Sequence, residues 1–178
     1  LLEAVGGPAN SVQVVTGAPE WYHPGRSGVM QLGPKNRLAA FGEIHPRVLE
    51  MMKVKGPLVG FEVYLDNVPL PKSTETARPP LVVSDYQFVE RDFAFEVDAE
   101  VTADTIIRAA RGSDKKLITD VSIFDIYQGD RITAGRKSVA LSVRLQPMDK
   151  TMTEEEIDTI AAKVIGNIEK ATGGSLRK

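Results

Sequence analysis

The second half of the chain shows hydrophobic patterns with two periods, one typical of strands and the other of helices. Phe93, Phe95 and Val97 alternate with polar or small residues, which is the pattern of a half-buried strand. Apolar residues then recur three and four positions apart between Thr102 and Gly112. This spacing predicts a short helix with Thr102 as its N-cap and Gly112 at its end. A strand is therefore expected to lead into a helix.

The following residues predict a pair of strands joined by a loop. Residues 117–127 form a β-branched and aromatic run, which is typical of a second strand. Residues 128–137 contain Gly129 and Gly135 and predict a loop. Residues 139–145 alternate between apolar and other side chains and predict a third strand.

The C-terminal residues complete a recognisable order of elements. Thr153 and Glu156 form a capping box, and the helical face behind it ends at Gly173. Residues 175–178 could add a short final strand. The order β-α-β-β-α-β is the ferredoxin-like arrangement, which is an α+β fold. We expect both helices on one face of a four-stranded antiparallel sheet, with the other face or an edge of the sheet available to a partner.

The first part of the chain predicts a partial α+β module over residues 1–66. Short strands and a short helix, each with glycines nearby, are expected at 11–15, 29–32, 46–52 (the helix) and 58–65. Residues 67–84 are rich in proline, which removes strand donors, and they predict a linker to a unit at 85–178. Because Leu1 to Val5 resembles a helical pattern already under way, we expect a fragment of a longer protein.

Composition removes several classes of function. The 178 residues include no cysteine and two histidines, so a disulfide framework, a thiol nucleophile and a structural zinc site are not expected. No apolar run approaches the roughly 18 residues of a membrane span, so we expect a soluble, cytoplasmic protein with no membrane partner. With 22 basic and 24 acidic residues, general coating of nucleic acid is not expected either, and DNA is not an expected partner.

Catalytic motifs are also missing from the sequence, which has no P-loop, G-x-S-x-G or G-x-G-x-x-G. His23 and His45 each precede a proline, so we interpret them as turn formers or helix caps. The acidic residues at 154–158 complement the dipole of a helix start and do not indicate a metal site. We therefore expect no catalytic residue and no metal ligand.

The clearest candidate chemistry lies around the loop at 128–137. Parity places Asp125 and Tyr127 on one face of the second strand, and a hairpin would bring Ser138 close to Tyr127. A tyrosine can stack on a base, while a carboxylate and a hydroxyl can bond to base edges in single-stranded RNA. The alternative is a surface tyrosine with ordinary polar neighbours. Val121 and Ile123 share the parity of Asp125, so the strand must bulge near Phe124 or expose these aliphatic residues.

Charge around the same loop differs from the charge of the whole unit. Residues 81–178 carry 14 basic and 17 acidic side chains, a net −3. Basic residues nevertheless gather near the loop and the third strand: Lys115, Lys116, Arg131, Arg136, Lys137 and Arg144. By charge and position, we assign Arg136, Lys137 and Arg144 to phosphate contacts.

Four blocks of sequence resemble a known family in order and spacing. Residues 88–95, 124–129, 135–140 and 151–157 resemble the ferredoxin-fold anticodon-binding domain that ends the beta subunit of bacterial phenylalanyl-tRNA synthetase. Residues 23–27 and 42–46 resemble the end of the catalytic-like module before it. The resemblance implies that Asp125, Tyr127 and Ser138 contact bases of the anticodon stem-loop. It also implies that the fragment is not itself catalytic.

The resemblance further implies a parent complex of two alpha and two beta subunits. That complex attaches phenylalanine to its tRNA with ATP and magnesium, so its partners would be phenylalanine tRNA and the alpha subunit. No cofactor is expected in this fragment.

Two alternative functions for a ferredoxin-like domain are those of a small acylphosphatase-type enzyme and of a generic RNA-binding module. An acylphosphatase needs a phosphate-binding loop after the first strand, where this chain has the acidic sequence Asp98-Ala99-Glu100-Val101. A generic RNA-binding module of the RRM type carries aromatic residues on its third strand, where residues 138–146 have none.

Overall fold

The computed structural model describes residues 11–69 and 83–177. The chain divides into two compact units, residues 1–79 and 80–178. The helical pattern expected at Leu1 and most of the proline-rich stretch expected to be a linker, residues 70–82, lie outside the described residues.

The N-terminal unit is an antiparallel sheet with one short helix. Its elements are β1 (Gln13–Val15), β2 (Tyr22–Leu32), β3 (Asn36–Ile44), α1 (Pro46–Met51) and β4 (Val59–Val63). The strands lie in the order β1-β2-β3-β4, and a short 3-10 helix follows at Leu65–Asn67. The predicted helix and three of the strands are found, so the expected α+β character of this unit is confirmed.

The strand β3 and the first half of β2 were not expected from the sequence, and both contain glycines. In the structure Gly28 pairs with Phe41, whose ring lies over it, and Gly42 pairs with Ser27. A side chain at Gly42 would collide with Ser27, so the two strands approach closely where the glycines lie. A register irregularity between Tyr22 and Ser27 marks the same place.

The C-terminal unit has the predicted β-α-β-β-α-β order. Its elements are β5 (Val89–Asp98), α2 (Ala103–Arg111), β6 (Ile118–Tyr127), β7 (Arg136–Leu145), α3 (Glu154–Thr172) and β8 (Ser175–Leu176). The four strands lie in the order β6-β7-β5-β8, and all neighbours are antiparallel. The predicted ferredoxin-like fold is confirmed.

Both helices begin and end at the residues that the sequence predicted. Thr102 and Thr153 accept hydrogen bonds from the backbone of the first turn, and Glu156 closes the capping box. Gly173 ends α3 with a positive φ of 66°. The loop between β6 and β7 is shorter than expected, since β7 begins at Arg136.

One face of the sheet packs against the two helices, and this is where the core lies. The core side chains come from three strands and both helices: Phe95, Val97, Ile106, Ala110, Ile118, Val121, Val139, Leu141, Val143, Leu145, Ile157, Ile160, Val164 and Ile168. The opposite side of the same strands carries polar and charged residues, among them Glu90, Asp92, Glu96, Ser142 and Arg144, and we call it the open face. Most of the candidate site residues lie on this face.

Candidate nucleic-acid interface

A bulge in β6 decides which residues reach the open face. The pairing of β6 with β7 changes register between Ile123 and Asp125, at Phe124. Val121 is therefore buried against the helices, while Asp125 pairs with Ala140 and Tyr127 pairs with Ser138. Of the two alternatives that the sequence left open, the structure has the bulge near Phe124, and the bulge brings Asp125 and Tyr127 onto the open face.

The three residues expected to contact bases belong to two neighbouring cross-strand pairs of β6 and β7. Asp125 and Tyr127 are exposed, and Tyr127 retains 40% of its accessible surface. Among residues 11–69 and 83–177, Asp125 makes no ion pair, so its carboxylate is available to a ligand. The hairpin therefore presents an aromatic ring and a carboxylate together.

Ser138 is placed beside Tyr127, but its side chain is not exposed. The residue retains only 6% of its accessible surface. Its Oγ lies 3.5 Å from Nη1 of Arg177, which is positioned to donate to it. A ligand would reach the Ser138 hydroxyl only beside Arg177.

Arg177 is a candidate site residue that was not selected from the sequence. Leu176 of β8 pairs with Phe95 and joins the core side of the sheet. Alternation along the chain places Arg177 on the open face. The sequence predicted a final strand that contains Arg177. It did not predict the strand order that places β8 next to β5, which comes only from the tertiary structure.

The basic residues assigned to phosphate contacts do not form one patch. Arg136 and Arg144 share the open face, whereas Lys137 pairs with the buried Val97 and belongs to the opposite face. Nζ of Lys137 donates to the carbonyl of Ala99 at 2.8 Å. The register therefore separates Lys137 from the two arginines.

Both arginines already have partners within the unit. Nη2 of Arg136 donates to the carbonyl of Glu96 at 2.9 Å, and its Nε lies 3.4 Å from Oδ1 of Asp98. Arg144 donates to Oε1 of Glu90 from Nη2 at 2.8 Å, and its guanidinium lies 4.3 Å from the centre of the Phe88 ring. A phosphate would have to compete with these carboxylates.

His45 is the N-cap of α1, one of the roles that the sequence indicated, whereas His23 lies within β2. Nδ1 of His23 accepts from the backbone of Gly25, and Nδ1 of His45 accepts from the backbone of Arg47 at the start of α1, each at 3.1 Å. Their rings stack with centroids 6.4 Å apart. Arg26, between glycines, forms an ion pair with Glu43 at 3.1 Å. These side chains build the β2–β3 region of the N-terminal unit.

Among the ionisable groups of residues 11–69 and 83–177, two have pKa values shifted by local contacts. Burial raises the pKa of Tyr22 above its usual 10.0, and the nearby Glu62 and Tyr64 raise it further. The hydrogen bond from Lys150, together with the backbone of Thr153, lowers the pKa of Glu156 below its usual 4.5. Both shifts follow from structural contacts rather than from a catalytic arrangement.

Residues 11–69 and 83–177 contain no cluster of three or more His, Cys, Asp or Glu side chains that could hold a metal ion. Within the same residues, no helix is both long and apolar enough to cross a membrane.

The four-stranded sheet with two helices on one face defines a ferredoxin-like domain. The family model of the ferredoxin-fold anticodon binding domain matches residues 84–177, more than half of the chain, and the chain therefore belongs to this family. Residues 1–65 match a second model, the phenylalanyl tRNA synthetase beta chain CLM domain. The resemblance inferred from the sequence is confirmed.

Curated relatives are similar over nearly the whole chain. The chain is 59% identical over 177 residues to the phenylalanine-tRNA ligase beta subunit of Rhodospirillum rubrum. It is 54% identical over 179 residues to the same subunit of Rhodopseudomonas palustris and 51% identical over 177 residues to that of Mesorhizobium japonicum. Each alignment covers 99% of this chain and 22% of the relative, so the chain spans about a fifth of their length.

Proposed function

We propose that the chain recognises the anticodon stem-loop of a phenylalanine tRNA as part of a phenylalanine-tRNA ligase beta subunit. The observation that carries the proposal is the bulge at Phe124, which sets Asp125 and Tyr127 side by side on the open face. Family membership and the names of the relatives support the same ligand class.

Each site residue has a proposed role that follows from its chemistry. Tyr127 stacks on an unpaired base, and Asp125 accepts hydrogen bonds from a guanine Watson–Crick edge. The Ser138 hydroxyl bonds to the same nucleotide once Arg177 shifts, and Arg177 then lies near enough to meet a phosphate. Arg136 and Arg144 contact phosphates only after they release their carboxylate partners. Lys137 contacts a phosphate from the opposite face of the sheet.

The wider assembly is part of the same proposal. The parent enzyme would attach phenylalanine to tRNA in the cytoplasm, with ATP and magnesium used in a complex of two alpha and two beta subunits. In this chain, residues 1–66 would belong to the catalytic-like module and 67–84 would link it to the anticodon-binding unit at 85–178. Neither unit supplies a catalytic group in this proposal.

The loop after β5 does not favour the acylphosphatase alternative. Asp98 and Glu100 place two carboxylates where a phosphate would have to bind. The backbone N–H of Ala99 donates to the carbonyl of Gly135, and the carbonyl of Ala99 accepts from Lys137. The loop is therefore tied to the β6–β7 hairpin and is not free to surround an anion.

Binding of the whole chain to a phenylalanine anticodon stem-loop tests the proposal. We expect the Tyr127→Ala variant to bind less tightly by about 1–3 kcal/mol, since it removes one base-stacking ring. Tyr127→Phe should keep most of the affinity because the ring remains. Affinities are measured by fluorescence titration at one fixed salt concentration, because protein–RNA affinity changes strongly with salt.

A charge-matched pair provides the control for base recognition. Asp125→Asn removes the proposed acceptor, whereas Asp92→Asn removes a carboxylate from the same face in another row, opposite Ser142. Asp125→Asn should reduce the preference for the natural first anticodon base over a substituted one, and Asp92→Asn should not. Equal binding of both RNAs by wild type and by Asp125→Asn would contradict anticodon reading by this face.

A further inference from the structure

Gly129 lies two residues after Tyr127, and the tyrosine ring rests against its backbone. A Cβ added to Gly129 would lie 2.5 Å from Oη and 2.7 Å from Cζ of Tyr127. The phenol end of the ring therefore occupies the space that the side chain of any other residue would need. Tyr127 is also less exposed, at 40%, than its neighbours Phe124 at 60% and Ile126 at 55%.

The backbone itself does not require glycine at this position. Gly129 is not among the residues with positive φ, whereas Gly135, at the other end of the same loop, has a φ of +81°. An added Cβ at Gly135 would meet nothing within 4 Å. The two loop glycines thus differ: Gly135 satisfies a backbone conformation, and Gly129 makes room for a ring.

The turn after Gly129 holds its backbone in place. The carbonyl of Gly129 accepts a hydrogen bond from the backbone of Ile132 at 2.9 Å. The ring end of Tyr127, in contrast, is the terminus of a side chain with rotatable bonds. A methyl group at position 129 would therefore displace the ring and leave the turn intact.

We propose that Gly129 is a positioning residue, which gives the Tyr127 ring a fixed resting place before RNA binds. This inference rests on the proposed function, because it concerns the stacking role of Tyr127. A side chain that is ordered in advance pays less conformational entropy on binding than one that must be immobilised. Gly129 would thus raise affinity without contacting the RNA.

The contact itself is tested without RNA. In NMR spectra of the whole chain, nuclear Overhauser effects are expected between the Tyr127 ring Hε protons and the Gly129 Hα protons. Their absence would overturn the inference, whatever the chain binds. Gly166→Ala is the matched glycine control, since an added Cβ there meets nothing within 4 Å, and it should leave these signals in place.

The effect on binding is tested with three variants and the phenylalanine anticodon stem-loop. Gly129→Ala should bind about 2- to 12-fold more weakly, the effect of freeing one side chain. Tyr127→Ala should bind about 5- to 150-fold more weakly. Gly129→Ala should have no further effect in the Tyr127→Ala background, because the ring through which it acts is gone.

The outcomes separate this inference from the proposed function. If Tyr127→Ala weakens binding and Gly129→Ala does not, the positioning role is wrong and the proposed function stands. An equal loss from Gly129→Ala in both backgrounds also overturns it, since the glycine would then act independently of the ring. If Tyr127→Ala binds like wild type, the stacking role fails, and Gly129's part in binding fails with it.

Discussion

Single residues of the C-terminal unit differ mainly by the face of the sheet on which they lie. Phe95 and Asp125 belong to strands of the same sheet, yet one is fully buried and the other exposed. Neighbours in sequence can differ as strongly, since Lys137 and Ser138 project to opposite faces. The consequence of a substitution therefore follows from register more than from residue type.

The two phenylalanines Phe95 and Phe124 make this difference measurable. Phe95→Ala should lower the free energy of unfolding by about 3–5 kcal/mol, because it empties a fully buried site in the core. Phe124→Ala, at a 60% exposed residue, should change it by less than about 1 kcal/mol. Urea unfolding followed by circular dichroism at the helix signal checks both, because α2 and α3 belong to the affected unit. Similar losses from both variants would contradict the observed register.

At the scale of elements, the bulge in β6 and the caps of α3 have the largest consequences. The bulge lets one strand bury Val121 in its first half and expose Asp125 on the open face in its second half. The capping box fixes where α3 begins and hence which of its residues face the core. The sequence predicted the caps of α3 and gave the bulge as one of two alternatives for β6.

The capping box of α3 gives a prediction for stability. Thr153→Ala should cost about 1 kcal/mol, because it leaves a helix N–H without its side-chain acceptor. Thr151→Ala, an exposed threonine outside the helix, is the matched control and should be nearly neutral. Thermal unfolding of the two variants and the wild type checks this, and equal melting temperatures of all three would contradict the role of the cap.

The same capping box predicts that the stability of the folded chain depends on pH. The pKa of Glu156 is lower in the folded chain than its usual 4.5, so this glutamate stabilises α3 while it is ionised. Its contribution is fully present above 4.5 and shrinks as the pH falls through the lower folded value. In a Glu156→Gln variant that contribution to the acid loss of stability should disappear. Unfolding of both proteins is measured between pH 6 and pH 3. A difference in the free energy of unfolding between the variant and wild type that stays constant over this range would contradict the prediction.

At the scale of the whole molecule, net charge is a poor guide to the proposed ligand. The chain has a formal charge of −2, and the arginines on the open face are largely neutralised by Glu90, Glu96 and Asp98. Recognition would then depend on a few base contacts, with phosphate contacts in a minor role.

The salt dependence of binding measures how much phosphate contacts contribute to affinity relative to base contacts. Each phosphate contact contributes about −0.7 to the slope of log affinity against log salt for single strands. Within residues 83–177, the arginines placed on the open face are Arg136, Arg144 and Arg177. We therefore expect a slope of magnitude about 2 for the anticodon stem-loop. Titrations between 50 mM and 200 mM salt would supply the value. A slope of magnitude 5 or more would show a broad basic contact that this surface does not provide.

The sequence by itself determined the order of elements in the C-terminal unit and the helix caps, because these depend on local patterns, and it gave a bulge in β6 as one of two alternatives. Alternating apolar residues, threonine caps and the parity conflict between Ile123 and Asp125 can all be recognised within about ten residues. The same parity argument grouped Asp125, Tyr127 and Ser138. It did not find β3, whose strand character depends on close pairing of Gly42 with Ser27.

The tertiary structure alone decided which polar groups are free. Ser138 is buried beside Arg177, and Arg136 and Arg144 are paired with carboxylates, because strands distant in sequence are neighbours in the sheet. In the sequence, Gly129 does not differ from other loop glycines, and only the structure places the Tyr127 ring against it. The exposure, ion pairs and ring contacts of a side chain depend on all of its neighbours. Most of those neighbours are set by long-range register rather than by local pattern.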